Sequence, residues 1–200
     1  MKQMLRQVMS QTIPVSDDEW AAFEPHIKIK KIQKKDIYIR AGNHCAEIGL
    51  LVTGAMRQYH LLPDGERTTF FFFEGDFACD YQSIITNQPA TITIEALEDC
   101  EVLYFHRDVL LRLYRLYPTY ETFGRLIAES VYLCAMERLN TFILNSPEER
   151  YRHFLNSAES EQILTRIPQH YIASYLGITP VSLSRIRSRV SRMPRKVAVG

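Results

Sequence analysis

Ile167-Pro168-Gln169-His170-Tyr171-Ile172-Ala173-Ser174-Tyr175-Leu176-Gly177-Ile178-Thr179-Pro180-Val181-Ser182-Leu183-Ser184-Arg185-Ile186-Arg187 reads as two short helices joined by a tight turn. Pro168 opens the first at a point where a missing N–H costs nothing. Ile172, Ala173 and Leu176 give that helix its apolar face, and the small Ala173 lets a second helix cross closely. Gly177 permits the left-handed turn, and Ile178 plugs the space between the helices. Thr179 caps the second helix and Pro180 takes its first position. Leu183 and Ile186 point inward from it. This is helix-turn-helix grammar.

The second helix then presents Val181, Ser182, Ser184, Arg185, Arg187 and Ser188 outward. Short polar groups at a recognition helix's N-terminus suit phosphates and base edges, and an Arg reaches guanine O6 and N7. Arg185 is the candidate for base readout; Arg187, Arg189 and Arg192 suit phosphate. Charge points the same way. Residues 163–200 hold seven basic side chains and no Asp or Glu, so they carry +7 while the remaining chain carries −6. A basic segment on an otherwise acidic chain suggests a polyanion partner for that segment. A mixed-charge face, the mark of a plain helical hairpin, is absent.

Upstream, Tyr120 to Leu144 contains no Pro and one Gly, Gly124. Its length predicts a helix of roughly 37 Å. Phe123, Ile127, Val131 and Cys134 share one face, and Leu126, Leu133, Met136, Leu139 and Phe142 widen it. So broad an apolar surface is either buried in a large domain or paired with a twin in a second subunit. A chain of 200 residues favours the twin. Asn145-Ser146-Pro147 breaks the helix, Ser146 and Pro147 start another, and residues 156–162 read as a polar linker.

Residues 27–105 have the texture of strands. Ile27-Lys28-Ile29-Lys30 and Ile37-Tyr38-Ile39 alternate apolar with polar, as half-buried strands do. Ile48 to Val52 is fully apolar and stops at Thr53-Gly54. Met56 to Leu62, Pro63-Asp64-Gly65 and Arg67 to Phe73 spell a hairpin, with four consecutive Phe that signal burial. Glu74-Gly75-Asp76 is a turn; Thr91 to Leu97 and Glu101 to Phe105 close the series. Many short strands with frequent turns predict a barrel or jelly roll. Before them, Ser16-Asp17-Asp18-Glu19 is a capping box that starts a helix through Trp20 and Phe23.

Composition excludes several classes. At 46% hydrophobic and 24% charged residues the chain is an ordinary globular protein. It shows neither a signal peptide nor a membrane span, so a cytoplasmic location is expected. Cys45, Cys79, Cys100 and Cys134 form no close pair, which argues against zinc and iron–sulfur sites and for reduced, buried thiols. His44, His60 and His106 show no H-x-H pattern, which argues against a cupin-like metalloenzyme. No cofactor is expected beyond an unidentified small effector.

The order of parts, a capped helix, a barrel, a long helix and a helix-turn-helix, resembles the family of the cyclic-AMP receptor protein and the fumarate–nitrate regulator (Crp/Fnr). The resemblance rests on Gly54 in Leu51-Val52-Thr53-Gly54, the hairpin at Asp64-Gly65, Gly75-Asp76-Phe77 and the helix-turn-helix. It implies an α+β chain that is not an enzyme: a cyclic-nucleotide-binding-like jelly-roll domain at 1–118, a dimerisation helix at 119–145 and a DNA-binding domain at 146–200. It further implies a homodimer seam through Phe123, Ile127, Val131 and Cys134, with double-stranded DNA and RNA polymerase as partners and no membrane. Base and phosphate contacts would fall to Thr179, Val181, Ser182, Ser184, Arg185, Arg187 and Arg189.

The effector site departs from the family pattern. That pattern follows Gly-Asp-Phe with Gly-Glu-Leu and later an Arg-Ser or Arg-Thr pair, the Glu holding the ribose and the Arg the phosphate. Here the corresponding pocket residues are Gly75, Cys79, Asp80, Ala90 and Thr91. Asp80 stands near the Glu position, one methylene shorter, and Ala90 has no charge to offer. Cyclic AMP is therefore not the expected effector unless Arg57 or Arg67 supplies the cation. No cysteines at the N-terminus match the iron–sulfur branch, and His44, His60, His106 and Cys45 are isolated haem-ligand types of the usual structural kind. At the DNA end, Val181 stands where the family places a Glu. Only eleven residues follow Arg189, so a short or missing wing is expected. The competing reading is a barrel that senses a ligand and acts through protein contacts, with a degenerate helix-turn-helix; the acid-free C-terminus argues against it.

Overall fold

The computed structural model describes residues 1–191, so Arg192 and the expectation of a short or missing wing lie outside the described residues. The chain divides into two compact units, the first running from Met1 to Ala135 and the second starting at Met136.

The first unit opens with α1 (Lys2–Ser10) and α2 (Asp17–Phe23). α1 was not legible as a helix, yet Leu5 and Met9, one turn apart, are buried. α2 begins at the expected capping box: Ser16 Oγ accepts from the Glu19 amide at 3.3 Å, and the Glu19 carboxylate accepts from the Ser16 amide at 2.8 Å. Eight strands follow: β1 (Lys28–Ile32), β2 (Ile37–Ile39), β3 (Glu47–Thr53), β4 (Met56–Leu62), β5 (Gly65–Phe72), β6 (Phe77–Ala78), β7 (Thr93–Ala96) and β8 (Cys100–His106). They form two antiparallel sheets ordered β1-β8-β3-β6 and β2-β7-β4-β5. That order is a jelly roll. One core fills it, with Leu50, Leu103, Met56 and Ile94 fully buried.

One strand reading is revised. Ile29 is 48% exposed on β1, so that segment does not alternate burial as the pattern suggested. The Phe run is buried on both faces: Phe70 and Phe72 meet at 4.9 Å and pack on the core, while Phe71 and Phe73 are buried outside the main cluster.

Between β6 and β7 lies α3 (Tyr81–Thr86), and after β8 come α4 (Arg107–Leu116) and α5 (Pro118–Leu144). α5 has 27 residues, about 40 Å of helix. Gly124 lets it approach α4 closely, since a Cβ there would sit within 2.5 Å of the Tyr114 ring. Phe123 is buried in its own chain, its ring 6.0 Å from Phe77. Little of its side chain is left exposed for the intermolecular seam in which it was expected. Ile127 is half-buried, whereas residues 129–135 are all exposed, Tyr132 at 63% and Leu133 at 66%.

The second unit holds the last turns of α5, then α6 (Pro147–Leu155), α7 (Ser160–Arg166), α8 (Gln169–Tyr175) and α9 (Pro180–Val190). Ser146 and Glu149 form a second capping box. The stretch read as a polar linker already contains the start of α7, whose Ile163 is buried. Of the cysteines, Cys45 and Cys100 are buried as expected, but Cys79 is half-buried and Cys134 exposed. Among the described residues no helix is long and apolar enough to cross a membrane.

Candidate nucleic-acid interface and effector site

α8 and α9 cross around a small apolar centre. Ile172, Ala173, Leu176, Leu183 and Ile186 are buried, and Ile178 is half-buried between the helices. Gly177 takes φ +68°, the left-handed conformation the turn requires. Pro168 serves as N-cap of α8 rather than its first helical residue. Thr179 caps α9, its Oγ1 accepting from the Ser182 amide at 3.1 Å and meeting Ser182 Oγ at 2.9 Å.

Helical spacing sorts the α9 side chains into two faces. Val181, Ser184, Arg185 and Ser188 recur at i, i+3, i+4 and i+7 and are all exposed. The three arginines of α9 do not behave alike. Arg189 pairs with Glu148 of α6 at 2.8 Å, so it is held by its own domain rather than presented outward. Arg187 is half-buried and bonds the Tyr151 side chain, whose hydroxyl pKa is raised, chiefly by burial. Arg185 has no hydrogen bond or ion pair among the described residues.

Glu148 was not singled out by the sequence. It also accepts from Arg152 at 2.9 Å, and that bond first, with Arg189 adding to it, holds its carboxyl below the usual range. A second support was equally hidden. Arg138 donates to the Tyr175 carbonyl and stacks 3.6 Å over the Tyr175 ring. Arg150 donates to the Leu176 carbonyl at 3.0 Å and lies over Phe142 at 4.9 Å. The carbonyls that α8 leaves open at its C-terminus are thereby satisfied. Their signal, one arginine late in α5 and one early in α6, looks like ordinary surface charge.

In the jelly roll, Gly75 makes the turn between β5 and β6 at φ +96°, its amide bonded to the Leu51 carbonyl at 2.9 Å. Asp80 and Thr91 meet directly. Asp80 is 4% exposed and caps α3, one oxygen accepting from the Ser83 amide at 3.0 Å and the other from the Thr91 amide at 2.9 Å. The Ser83 hydroxyl extends this knot to the Cys45 amide and the Gln88 carbonyl. Ala90 is buried, with both backbone groups tied to residues 42–43. Cys79 is half-buried and its thiol pKa is pushed well up, first by burial. None of these five side chains is cationic. Nor is Arg57 free to help: it is 3% exposed and bound at 2.6 Å to both Glu66 and Glu95. Arg67 is exposed on β5. Among the described residues no three His, Cys, Asp or Glu side chains cluster as a metal site.

Residues 29–117 match the cyclic nucleotide-binding domain family. Across both units the fold is that of Crp/Fnr-type regulators. FixK2 from Bradyrhizobium japonicum aligns at a TM-score of 0.69 and 20% identity, over 82% of this chain and 84% of FixK2. A protein assigned to the Crp/Fnr family of transcriptional regulators from Eubacterium rectale gives 0.69 and 16%, over 88% and 83%. The global regulator CLP of Xanthomonas campestris, described as responsive to c-di-GMP, gives 0.63 and 14%, over 88% and 92%. No curated protein sequence matches the chain.

Proposed function

We propose that this chain is a dimeric, sequence-specific DNA-binding transcription regulator whose jelly roll answers to a small effector other than cyclic AMP. One observation supports the DNA reading above others. α9 turns an exposed, acid-free face outward, and Arg185 stands on it with no hydrogen-bond or ion-pair partner among the described residues, while Arg187 and Arg189 are held. An Arg so placed reaches guanine O6 and N7 in the major groove. Thr179 and Ser182 order the helix start, and Ser184 and Arg187 border the readout stripe. Arg189 reaches phosphate only by releasing Glu148.

The seam of the dimer is assigned to α5 beyond Phe123, through Ile127, Val131 and Cys134, because the residues that follow are broadly apolar and exposed. RNA polymerase is the expected partner of the assembled regulator on DNA. The effector reading rests on Asp80 and Ala90: the first spends both oxygens on backbone amides and the second has no charge.

The deciding experiment is enrichment of bound sequences from a random double-stranded library, followed by affinity measurements with Arg185→Ala. The wild type should select one operator, and the variant should lose about 1–3 kcal/mol of discrimination per half-site while keeping its fold, since Arg185 is exposed. Equal selection by both proteins would remove the recognition-helix assignment.

A further inference from the structure

Val181 is the single apolar side chain on the exposed stripe of α9, and nothing among the described residues explains it. It is 61% exposed, while the packing of this helix onto α8 is carried by Leu183 and Ile186. The first turn around it offers little else to a partner. The Thr179 and Ser182 hydroxyls are engaged with each other and with the Ser182 amide. A stiff, β-branched hydrocarbon is what this turn presents, one helical turn before Arg185.

We infer that Val181 reads the C5-methyl group of a thymine, so that each operator half-site carries a T within about two base pairs of the guanine bound by Arg185. This rests on the DNA-binding reading above. In the major groove guanine, adenine and cytosine present hydrogen-bonding groups, and thymine alone adds a methyl. Set against the amino group of cytosine or adenine, Val181 would displace water and leave a donor unpaired. Set against thymine, it buries hydrocarbon on hydrocarbon. The spacing follows from helix geometry. Four residues advance about 6 Å along the axis, close to two base steps of about 3.4 Å.

The test uses the full chain and its enriched operator, with thymine replaced by deoxyuridine at the position in question, a change that removes only the methyl group. Wild-type affinity should fall about fourfold per half-site, and Val181→Ala should bind both operators alike. Val181→Glu should move the enriched base from T to C, whose amino group a carboxylate accepts. Equal losses for wild type and Val181→Ala, or an operator with no T within two base pairs of the Arg185-dependent guanine, would overturn the inference and leave the DNA reading standing. If the wild type enriches no sequence, or Arg185→Ala enriches the same one, the DNA reading itself falls and this inference with it.

Discussion

At Gly54 the backbone has no room for a side chain. Its φ is +97°, and a Cβ built there would lie 2.6 Å from the Asp99 carbonyl oxygen and 2.6 Å from Cys100 Sγ. Conformational strain and overlap with backbone act together, so Gly54→Ala should lose about 3 kcal/mol in urea unfolding. Gly42 and Gly75 also have positive φ, yet nothing stands within 4 Å of a Cβ at either. Alanine there should cost only the strain, about 1 kcal/mol. A loss at Gly54 no larger than at these two would mean that the turn relaxes. The sequence revealed the turn in Thr53-Gly54 but not the crowding, which comes from Asp99 and Cys100, 45 and 46 positions further along the chain. Asp80 makes the same point. Its position invited comparison with a ribose-binding carboxylate, and only the fold reveals that Ser83 and Thr91 occupy both its oxygens.

The elements that could be read from sequence were those whose signals are local: the Ser16–Glu19 capping box, the Ser146-Pro147 helix start, the Pro63-Asp64-Gly65 hairpin, and the helix-turn-helix with its Gly and Thr at fixed offsets. α3 was missed because six residues cannot display a helical period, and it depends on the Asp80 cap and on Asn87 in the left-handed region. α7 was hidden by its polar start, for only Ile163 is buried. The tie between α6 and α9 was likewise invisible, since Glu148 and Arg189 are 41 positions apart. It leads to a prediction at this scale. Glu148→Gln should release Arg189 toward phosphate, raising operator affinity and steepening the logarithmic salt dependence by about one per half-site. An unchanged slope would mean that Arg189 stays on α6 without its anion. Acid should act similarly. The Glu148 carboxyl is held below its usual range, mainly by Arg152, so the tie is intact above the ordinary glutamate range. It is lost as pH falls through that lowered value.

For the molecule as a whole, the jelly roll has the topology of a cyclic nucleotide-binding domain but lacks a cation among the five pocket residues, and calorimetry should detect no micromolar binding of cyclic AMP. Binding at that level would mean another side chain neutralises the phosphate; Arg67 is exposed, whereas Arg57 is already bound to Glu66 and Glu95. The exposed apolar run at residues 131–135 of α5 sets the expectation for assembly. Leu133→Glu should give monomers in sedimentation equilibrium, and a dimeric variant would place the seam elsewhere. That run also has a consequence for heat denaturation. If covering it takes a second copy, unfolding is coupled to dissociation, and mass action makes the native state depend on how much protein is present. The melting temperature should then fall by roughly 2 °C for each tenfold dilution. A regulator built this way would lose thermal resistance as its cellular supply runs down, so that scarcity alone would switch it off before any effector did.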